Sequence, residues 1–240
     1  MNAAILFDID GTLVDSTYHH AVAWHRAFTQ VARVAQVAPG RQGMDVPPLW
    51  RLHRAIGMGG DRLVGEVAGE RAERDHGDDL RATWRTEYLD LHAEVRPLPG
   101  AADLVHRLAA DGLTVALASS GDPQFAREAV DLLGIARDVT ALLTSDDVDS
   151  SKPAPDLIQQ TLGRLGDVER ALFVGDTVYD VESASRAGIG CLALRSGGFG
   201  RAELEEAGAL RVDDLPADLI GLDWARALST DDARSGTAPA

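Results

Sequence analysis

The chain is poor in cysteine, poor in basic residues and free of long apolar runs, and each shortage excludes a class of protein. Cys191 is the only cysteine among the 240 residues, so a disulfide cannot form within the chain. It stands in the apolar run GCLAL, which predicts that the thiol packs in the core of a protein from a reducing compartment.

Membrane and export signals are the second absence. No apolar run approaches the roughly 18 residues that a membrane-spanning helix needs. The amino terminus, MNAAILFDID, lacks the basic region that opens a secretory signal peptide. These absences predict a cytoplasmic protein with no membrane partner.

The charge balance is strongly acidic. Asp and Glu outnumber Lys and Arg by 38 to 23, which gives a net charge of -15. Such a surface repels phosphate backbones, so nucleic acid is excluded as a partner. An anionic substrate would need a site that creates local positive charge. With 45% hydrophobic residues, the chain suits one globular domain or one domain with an insertion, and we expect a monomer or a weak dimer.

Short apolar runs alternate with helical patterns along most of the chain, which predicts βαβ units. The class is α/β, with a Rossmann-like parallel sheet as its core. Ligands bind beyond the carboxyl ends of the strands in such sheets. The predicted strands are Ala3–Phe7, Thr114–Ala118, 141–144, 171–174 and Gly190–Leu194.

One stretch breaks this alternation with a purely helical periodicity. Its patterns are YHHAVAWHRAFTQVARVAQV, PPLWRLHRAI, GDRLVGEVAGERAER and LRATWRTEYLDLHAEV, and the Pro- and Gly-rich segment 38–48 is a loop between the first two. We predict a helical insertion at 17–94, an α/β core made of 1–16 and 95–228, and a flexible tail at 229–240.

Acidic residues follow two of the predicted strands. Asp8 and Asp10 come after the first strand, and Asp176 and Asp180 follow the fourth. An ordinary solvated loop and a helix N-terminus would also account for such acids. If the strands share one sheet, however, four carboxylates converge and repel one another. A hard divalent cation such as Mg²⁺ relieves that repulsion, so the acids predict a metal site.

Two further strand ends carry groups that suit an anion. Ser119, Ser120 and Gly121 offer a hydroxyl and backbone N–H groups, although helix capping also explains a serine there. A serine-hydrolase nucleophile is disfavoured because the G-x-S-x-G pattern is missing. Lys152, in the proline-stiffened loop SSKPAPD, is either an ordinary surface lysine or the positive side chain of the site.

Taken in order, FDIDGT, the strand-ending Ser119, Lys152-Pro153 and GDTVYD resemble the four motifs of the haloacid dehalogenase (HAD) superfamily. The resemblance extends over essentially the whole predicted α/β core. The helical insertion between the first and second motifs is similar to the C1-type cap of that superfamily. Of the four motifs, only D-x-D-G-T is specific when it is taken alone. The resemblance is strong because all four motifs occur in the expected order.

The resemblance implies a two-step phosphoryl transfer. Asp8 would attack the phosphorus and form an aspartyl-phosphate. Asp10 would protonate the leaving oxygen and then deprotonate the hydrolytic water. Mg²⁺ would be held by Asp8, the backbone carbonyl of Asp10 and Asp176, with Asp180 assisting directly or through water.

The resemblance also implies which groups hold the phosphoryl oxygens. Lys152 would offset negative charge, while Ser119 and the amides near Ser120 and Gly121 would bind the oxygens. This arrangement agrees with the physics of phosphoryl transfer, in which positioning and electrostatic stabilisation do most of the catalytic work.

The subclass depends on a few positions. Asp10 argues against the dehalogenases and the phosphonate-cleaving branch, which lack an acid there. DSTYHHAVAW, with His20, resembles the cap entry of sugar phosphomutases, in which a cap-loop Arg binds a second phosphate. The matching stretch here, IGMGGDRLV, has Gly59 and Gly60 at that place, with Arg62 in another register, and resembles the phosphoglycolate-phosphatase-like branch.

We therefore predict a Mg²⁺-dependent phosphatase of a small phosphorylated metabolite. His20, Gly59 and Arg62 are the candidate substrate contacts from the cap. A sugar phosphomutase and a catalytically idle phosphate-binding protein are the alternatives.

Overall fold

A computed structural model describes residues 2–37 and 43–235. The chain forms two compact units, one made of Met1–Asp15 with Pro97–Ala240 and the other of Ser16–Arg96. The predicted insertion had its boundaries at 17 and 94.

The first unit is built on a six-stranded parallel sheet with the strand order β3-β2-β1-β4-β5-β6. This confirms the predicted α/β class. The strands are β1 (Ala3–Phe7), β2 (Thr114–Ala118), β3 (Val139–Leu143), β4 (Arg170–Gly175), β5 (Gly190–Leu194) and β6 (Arg211–Asp213).

The α-helices of the described residues divide between the two units. Four belong to the second unit: α1 (Thr17–Val37), α2 (Leu49–Ala55), α3 (Gly60–Ala68) and α4 (Glu70–His92). Six belong to the first: α5 (Ala101–Ala110), α6 (Pro123–Leu133), α7 (Asp156–Leu165), α8 (Val178–Ala187), α9 (Arg201–Ala207) and α10 (Trp224–Ser235).

The register of the sheet defines where a ligand site can form. Phe7, the last residue of β1, pairs with Leu117 of β2 on one side and with Val174 of β4 on the other. β2 and then β3 are added on one side of β1, whereas β4, β5 and β6 are added on the other side. The topological switch point of the sheet therefore lies between β1 and β4. The residues that follow these two strands are therefore placed side by side.

The sheet is buried by apolar side chains along its length. All five residues of β1 are buried, and Phe173 of β4 is fully buried in the same cluster as Cys191. The predicted core position of Cys191 is confirmed, and burial raises the pKa of its thiol well above the ordinary value. None of the helices that the structure describes is long and apolar enough to span a membrane.

The second unit is a helical bundle in which α1 packs against α2 and α4. Trp24, Phe28, Leu52, Leu63 and Leu80 are buried in its core.

The third helical pattern, GDRLVGEVAGERAER, was expected to be continuous, and this is wrong. Gly69 has φ +87°, so α3 ends at Ala68 and α4 begins at Glu70. Periodicity cannot detect such a break, because the apolar spacing continues across it.

Two further features near the carboxyl end differ from the prediction. The short strand β6 was not predicted, because Val212 is its only buried residue and RVD contains no apolar run. The predicted tail began at 229, whereas α10 continues to Ser235. Residues 236–240, and with them the end of that tail, lie outside the described residues, as do residues 38–42 of the loop predicted at 38–48.

Candidate active site

Three carboxylates meet beyond the ends of β1 and β4. Asp8 follows β1 directly and donates its backbone N–H to the Val174 carbonyl at 2.9 Å, so its position is fixed by the sheet. Asp176 follows β4, and Asp180 lies in the first turn of α8. Each offers one carboxylate oxygen, and these oxygens lie within 4.8 Å of one another. All three residues are buried.

Lys152 provides the positive charge within this cluster. Its Nζ is 2.7 Å from Asp8 Oδ1 and 2.8 Å from Asp180 Oδ1, and it lies 5.0 Å from the ring centroid of Phe173. The side chain is fully buried. Lys152 is also the only lysine in the chain, since the other 22 of its 23 basic residues are arginines. An ordinary surface role is therefore wrong for this residue.

The loop that carries Lys152 is held by α8. Ser183 Oγ donates to the Ala154 carbonyl at 2.8 Å, and Arg186 Nη1 donates to the Pro153 carbonyl at 2.6 Å. The backbone N–H of Lys152 donates to Ser120 Oγ at 3.4 Å. These contacts hold the backbone of the loop from which the Lys152 side chain extends.

Asp180 uses both of its oxygens within the protein. Oδ1 pairs with Lys152, while Oδ2 accepts from the backbone N–H groups of Asp176 (3.2 Å) and Thr177 (3.0 Å) and from Thr177 Oγ1 (2.7 Å). Asp180 therefore orients Lys152, and it also contributes an oxygen to the group that could hold a metal ion.

Thr12 is a site residue that the sequence reasoning missed. Its buried Oγ1 donates to Asp176 Oδ1 at 2.7 Å, across 164 positions of the chain. The sequence did mark Thr12, which is the final residue of the DIDGT motif. Its hydrogen-bond partner, Asp176, can be identified only from the folded structure.

The carboxylates are held in an environment that opposes their charge. Burial raises the pKa of Asp8 to about 7, an effect that Lys152 only partly offsets. Burial, Asp180 and Asp8 together raise the pKa of Asp176 well above its ordinary value. Although burial alone would lower the pKa of Lys152, Asp180 and Asp8 raise it above its ordinary value, so the ammonium is charged.

The same environment fits a divalent cation. Asp176 Oδ2 is buried and has no hydrogen-bond partner among the residues that the structure describes. A buried carboxylate oxygen without a donor is costly, and a hard cation would supply the missing interaction. The residues present therefore fit an ion such as Mg²⁺. The carboxylate of Asp10 does not belong to this cluster.

Asp10 instead lies near the serine segment. A Cβ placed on Gly121 would be 3.0 Å from Ser119 Oγ and 3.2 Å from Asp10 Oδ2, so both side chains border Gly121. The backbone N–H of Gly121 donates to Ser119 Oγ at 3.0 Å, and Ser119 is buried. The structure thus brings together the residues predicted at the ends of β1, β2 and β4, together with Lys152.

Comparison with known proteins gives the family. A model of the haloacid dehalogenase-like hydrolases matches residues 3–188. This chain belongs to the haloacid dehalogenase-like hydrolase family.

Curated relatives and solved structures agree with this assignment. The chain is 32% identical over 199 residues to a phosphoglycolate phosphatase of Yersinia pseudotuberculosis, a match that covers 80% of this chain and 81% of the relative. It is 29% identical over 225 residues to a phosphoglycolate phosphatase of Pseudomonas fluorescens, covering 90% and 78%. A hydrolase from Pseudomonas syringae has a similar structure, with a TM-score of 0.80, 31% identity, and coverage of 91% and 96%. The chain is thus a hydrolase and, by this kinship, a phosphatase.

The second unit of this haloacid dehalogenase-like hydrolase contains the other predicted site residues. His20 is buried and stacks on Tyr88, with ring centroids 4.0 Å apart, and on Trp84 at 5.6 Å. Gly59 precedes α3, and Arg62 lies exposed in the first turn of that helix. His20 therefore contributes to the packing of the helical unit.

The burial of Lys152 leads to a labelling prediction. We expect an amine-reactive ester to modify Lys152 in the native protein at least about a hundredfold more slowly than in denaturant, because labelling requires local opening. Peptide mass spectrometry measures the extent of modification at Lys152 under both conditions. Rapid modification of Lys152 in the native protein would contradict the buried ion pairs.

The Thr12 contact leads to a second prediction. We expect Thr12→Val to lose about 1–3 kcal/mol in the free energy of unfolding, because a buried carboxylate loses a donor. It should also lower kcat/KM by about tenfold, which is about 1.4 kcal/mol of transition-state stabilisation.

Thr161→Val provides a matched control for Thr12→Val. Thr161 is equally buried and donates to the Leu157 carbonyl at the same 2.7 Å, but within α7. We expect it to lose stability and keep its kinetics, measured by urea unfolding and phosphate release. Equal kinetics in both variants would show that the contact with Asp176 has no role in the reaction.

Proposed function

We propose that this chain is a Mg²⁺-dependent phosphomonoester hydrolase that acts on a small phosphorylated metabolite through an aspartyl-phosphate intermediate. The observation that carries the proposal is the contact of Lys152 Nζ with both Asp8 and Asp180, beside an Asp176 oxygen that lacks a donor. The cluster combines a fixed ammonium with carboxylates that fit a cation. Such a combination suits the charge of a phosphoryl group.

Asp8 is the proposed nucleophile. One of its carboxylate oxygens forms a bond to phosphorus while the bond between phosphorus and the leaving oxygen breaks, which gives an acyl phosphate and a free alcohol. Asp10 supplies the proton that the leaving oxygen takes up. In the second step Asp10 removes a proton from water, which attacks the acyl phosphate and releases inorganic phosphate and Asp8.

Asp8, Asp176 and the backbone carbonyl of Asp10 are the proposed ligands of Mg²⁺. When bound, the ion would neutralise charge on the carboxylates and on the phosphoryl oxygens. Asp180 would act through Lys152, which it holds in place. Asp180 would also assist the ion directly or through water, because one of its oxygens lies within 4.8 Å of the ligand oxygens of Asp8 and Asp176.

Ser119, Ser120, Gly121 and Lys152 are the proposed binding groups for the phosphoryl oxygens. Ser119 Oγ and Asp10 Oδ2 both border Gly121, which supports the use of these residues at the same reacting centre. For the helical unit we retain the role of a cap, with Gly59 and Arg62 as proposed specificity positions.

Phosphoglycolate is the first substrate to test, because the curated relatives carry its name. The experiment measures inorganic phosphate released from a panel of phosphorylated metabolites, with Mg²⁺ or with a chelator. We expect release that requires Mg²⁺ and no other activator. Retention of phosphate on a sugar, with dependence on a bisphosphate, would indicate a mutase instead. Binding of phosphate esters without turnover would indicate an idle binding protein.

The acid role of Asp10 has a test of its own. We expect Asp10→Asn to lower kcat by about 10²–10⁴-fold for phosphoglycolate or a sugar phosphate, whose leaving oxygens need a proton. The loss should be smaller for para-nitrophenyl phosphate, because nitrophenolate leaves without protonation. Equal losses in the initial burst of alcohol or phenol release on both substrates would contradict this role.

A further inference from the structure

The segment after β5 lies against the proposed metal site, although no motif marks it. Arg195–Gly197 forms a single turn of 3₁₀ helix. Ser196 Oγ donates to the carbonyl of Gly11 at 2.5 Å, across 185 positions of the chain. Gly11 belongs to the DIDGT turn that carries Asp8 and Asp10, so this hydrogen bond ties the end of β5 to the nucleophile's own loop.

Gly197 lies against the other acidic strand end. A Cβ built on Gly197 would overlap Asp176 Oδ2 and would be only 2.7 Å from Asp176 Cγ. Real Cβ atoms do not approach other atoms so closely, and Asp176 is fully buried with little room to retreat. The Asp176 carboxylate therefore occupies the place that a side chain at 197 would need.

These contacts fix Asp176 from two sides. Thr12 Oγ1 holds Oδ1 at 2.7 Å, and the Gly197 backbone closes one side of Oδ2. Oδ2 has no hydrogen-bond partner among the described residues, so its remaining side is left for a cation. A cation can reach Oδ2 only from the side that Gly197 does not cover.

We propose that Gly197 and Ser196 are positioning residues of this site. Gly197 determines which side of Asp176 Oδ2 is open to the metal ion. Ser196 holds the loop that carries Asp8 and Asp10 in place beside the end of β5. The inference rests on the proposed function, because it assumes that Asp176 binds Mg²⁺. It assigns to a segment outside the four motifs a share of the metal affinity.

The test is a calorimetric titration of the full chain with MgCl₂ in the absence of substrate. We expect Gly197→Ala to raise the Mg²⁺ dissociation constant by about 10–100-fold, the range found when groups that orient metal ligands are changed. Gly200→Ala is the matched control, because a Cβ there comes close only to the carboxylate end of the exposed Glu203 side chain, at 3.1 Å, and not to Asp176. We expect it to bind Mg²⁺ as the unchanged chain does.

The two hypotheses fail in different ways. No Mg²⁺ binding by the unchanged chain would refute the proposed function. Binding by the unchanged chain together with equal affinity in Gly197→Ala would overturn the inference alone.

The serine gives an independent readout if Gly197→Ala does not fold. We expect Ser196→Ala to lower kcat by about 3–10-fold with little change in the KM for substrate, since a neutral hydrogen bond that acts through another group is lost. Ser196→Thr retains the hydroxyl and should restore most of that loss. Equal rates in the Ala and Thr variants would overturn the role given to Ser196.

Discussion

Asp8→Asn is expected to reduce phosphate release by about 10⁴-fold or more, since the reaction loses its nucleophile. The amide matches the carboxylate in size but is a far weaker nucleophile. The fold should persist, because Lys152 keeps its contact with Asp180 at 2.8 Å. Burial raises the pKa of Asp8 to about 7, so replacing this carboxylate by a neutral amide also removes a cost of desolvation.

The measurement combines steady-state phosphate release with mass spectrometry of acid-quenched reactions. The peptide that contains Asp8 should carry a phosphoryl group in the unchanged protein and none in Asp8→Asn. Asp122→Asn is the control, because Asp122 caps α6 by accepting from the Gln124 N–H at 2.8 Å, and Asn caps equally well. Its activity should stay within about twofold of the unchanged protein. Substantial turnover by Asp8→Asn would require another nucleophile.

The sequence predicts the strands of the site and the acidic residues at their ends, because both follow from local patterns of apolar and polar residues. β1, β2 and β5 have the bounds that their apolar runs indicate. Polar residues that end buried strands in a parallel sheet meet at one edge, and Asp8 and Asp176 do so here. Motif order and strand periodicity were sufficient for this much.

The sequence does not predict the contacts that orient these groups. Thr12 reaches Asp176, and Ser196 reaches Gly11, across separations that leave no local signature. Gly197 is one glycine among 24, and only the approach of Asp176 shows that it is required. Lys152 could be placed in a loop from its prolines, but its complete burial and its two ion pairs depend on tertiary structure.

Lys152→Met is expected to have the largest combined effect on stability and activity. It removes the cation that lies 2.7 Å from Asp8 Oδ1 and 2.8 Å from Asp180 Oδ1, and it leaves two buried carboxylates facing each other. Breaking a buried ion pair on one side costs about 3–5 kcal/mol in the free energy of unfolding. Loss of a fixed charge at the phosphoryl group should also lower kcat by about 10²–10³-fold.

A double-mutant cycle with Asp180→Asn distinguishes the ion-pair network from simple loss of packing. Asp180→Asn alone leaves Lys152 paired with Asp8, whereas Lys152→Met with Asp180→Asn removes the cation and one of the two carboxylates that it contacts, which leaves Asp8 and Asp176 as the buried carboxylates of the cluster. We therefore expect the double variant to be more stable than the sum of the single losses, with a coupling of about 1–3 kcal/mol. Urea unfolding in the presence of a chelator measures the cycle without a contribution from bound metal. Additive losses would mean that Lys152 stabilises the fold only by filling space, because a charge that binds both carboxylates must couple them.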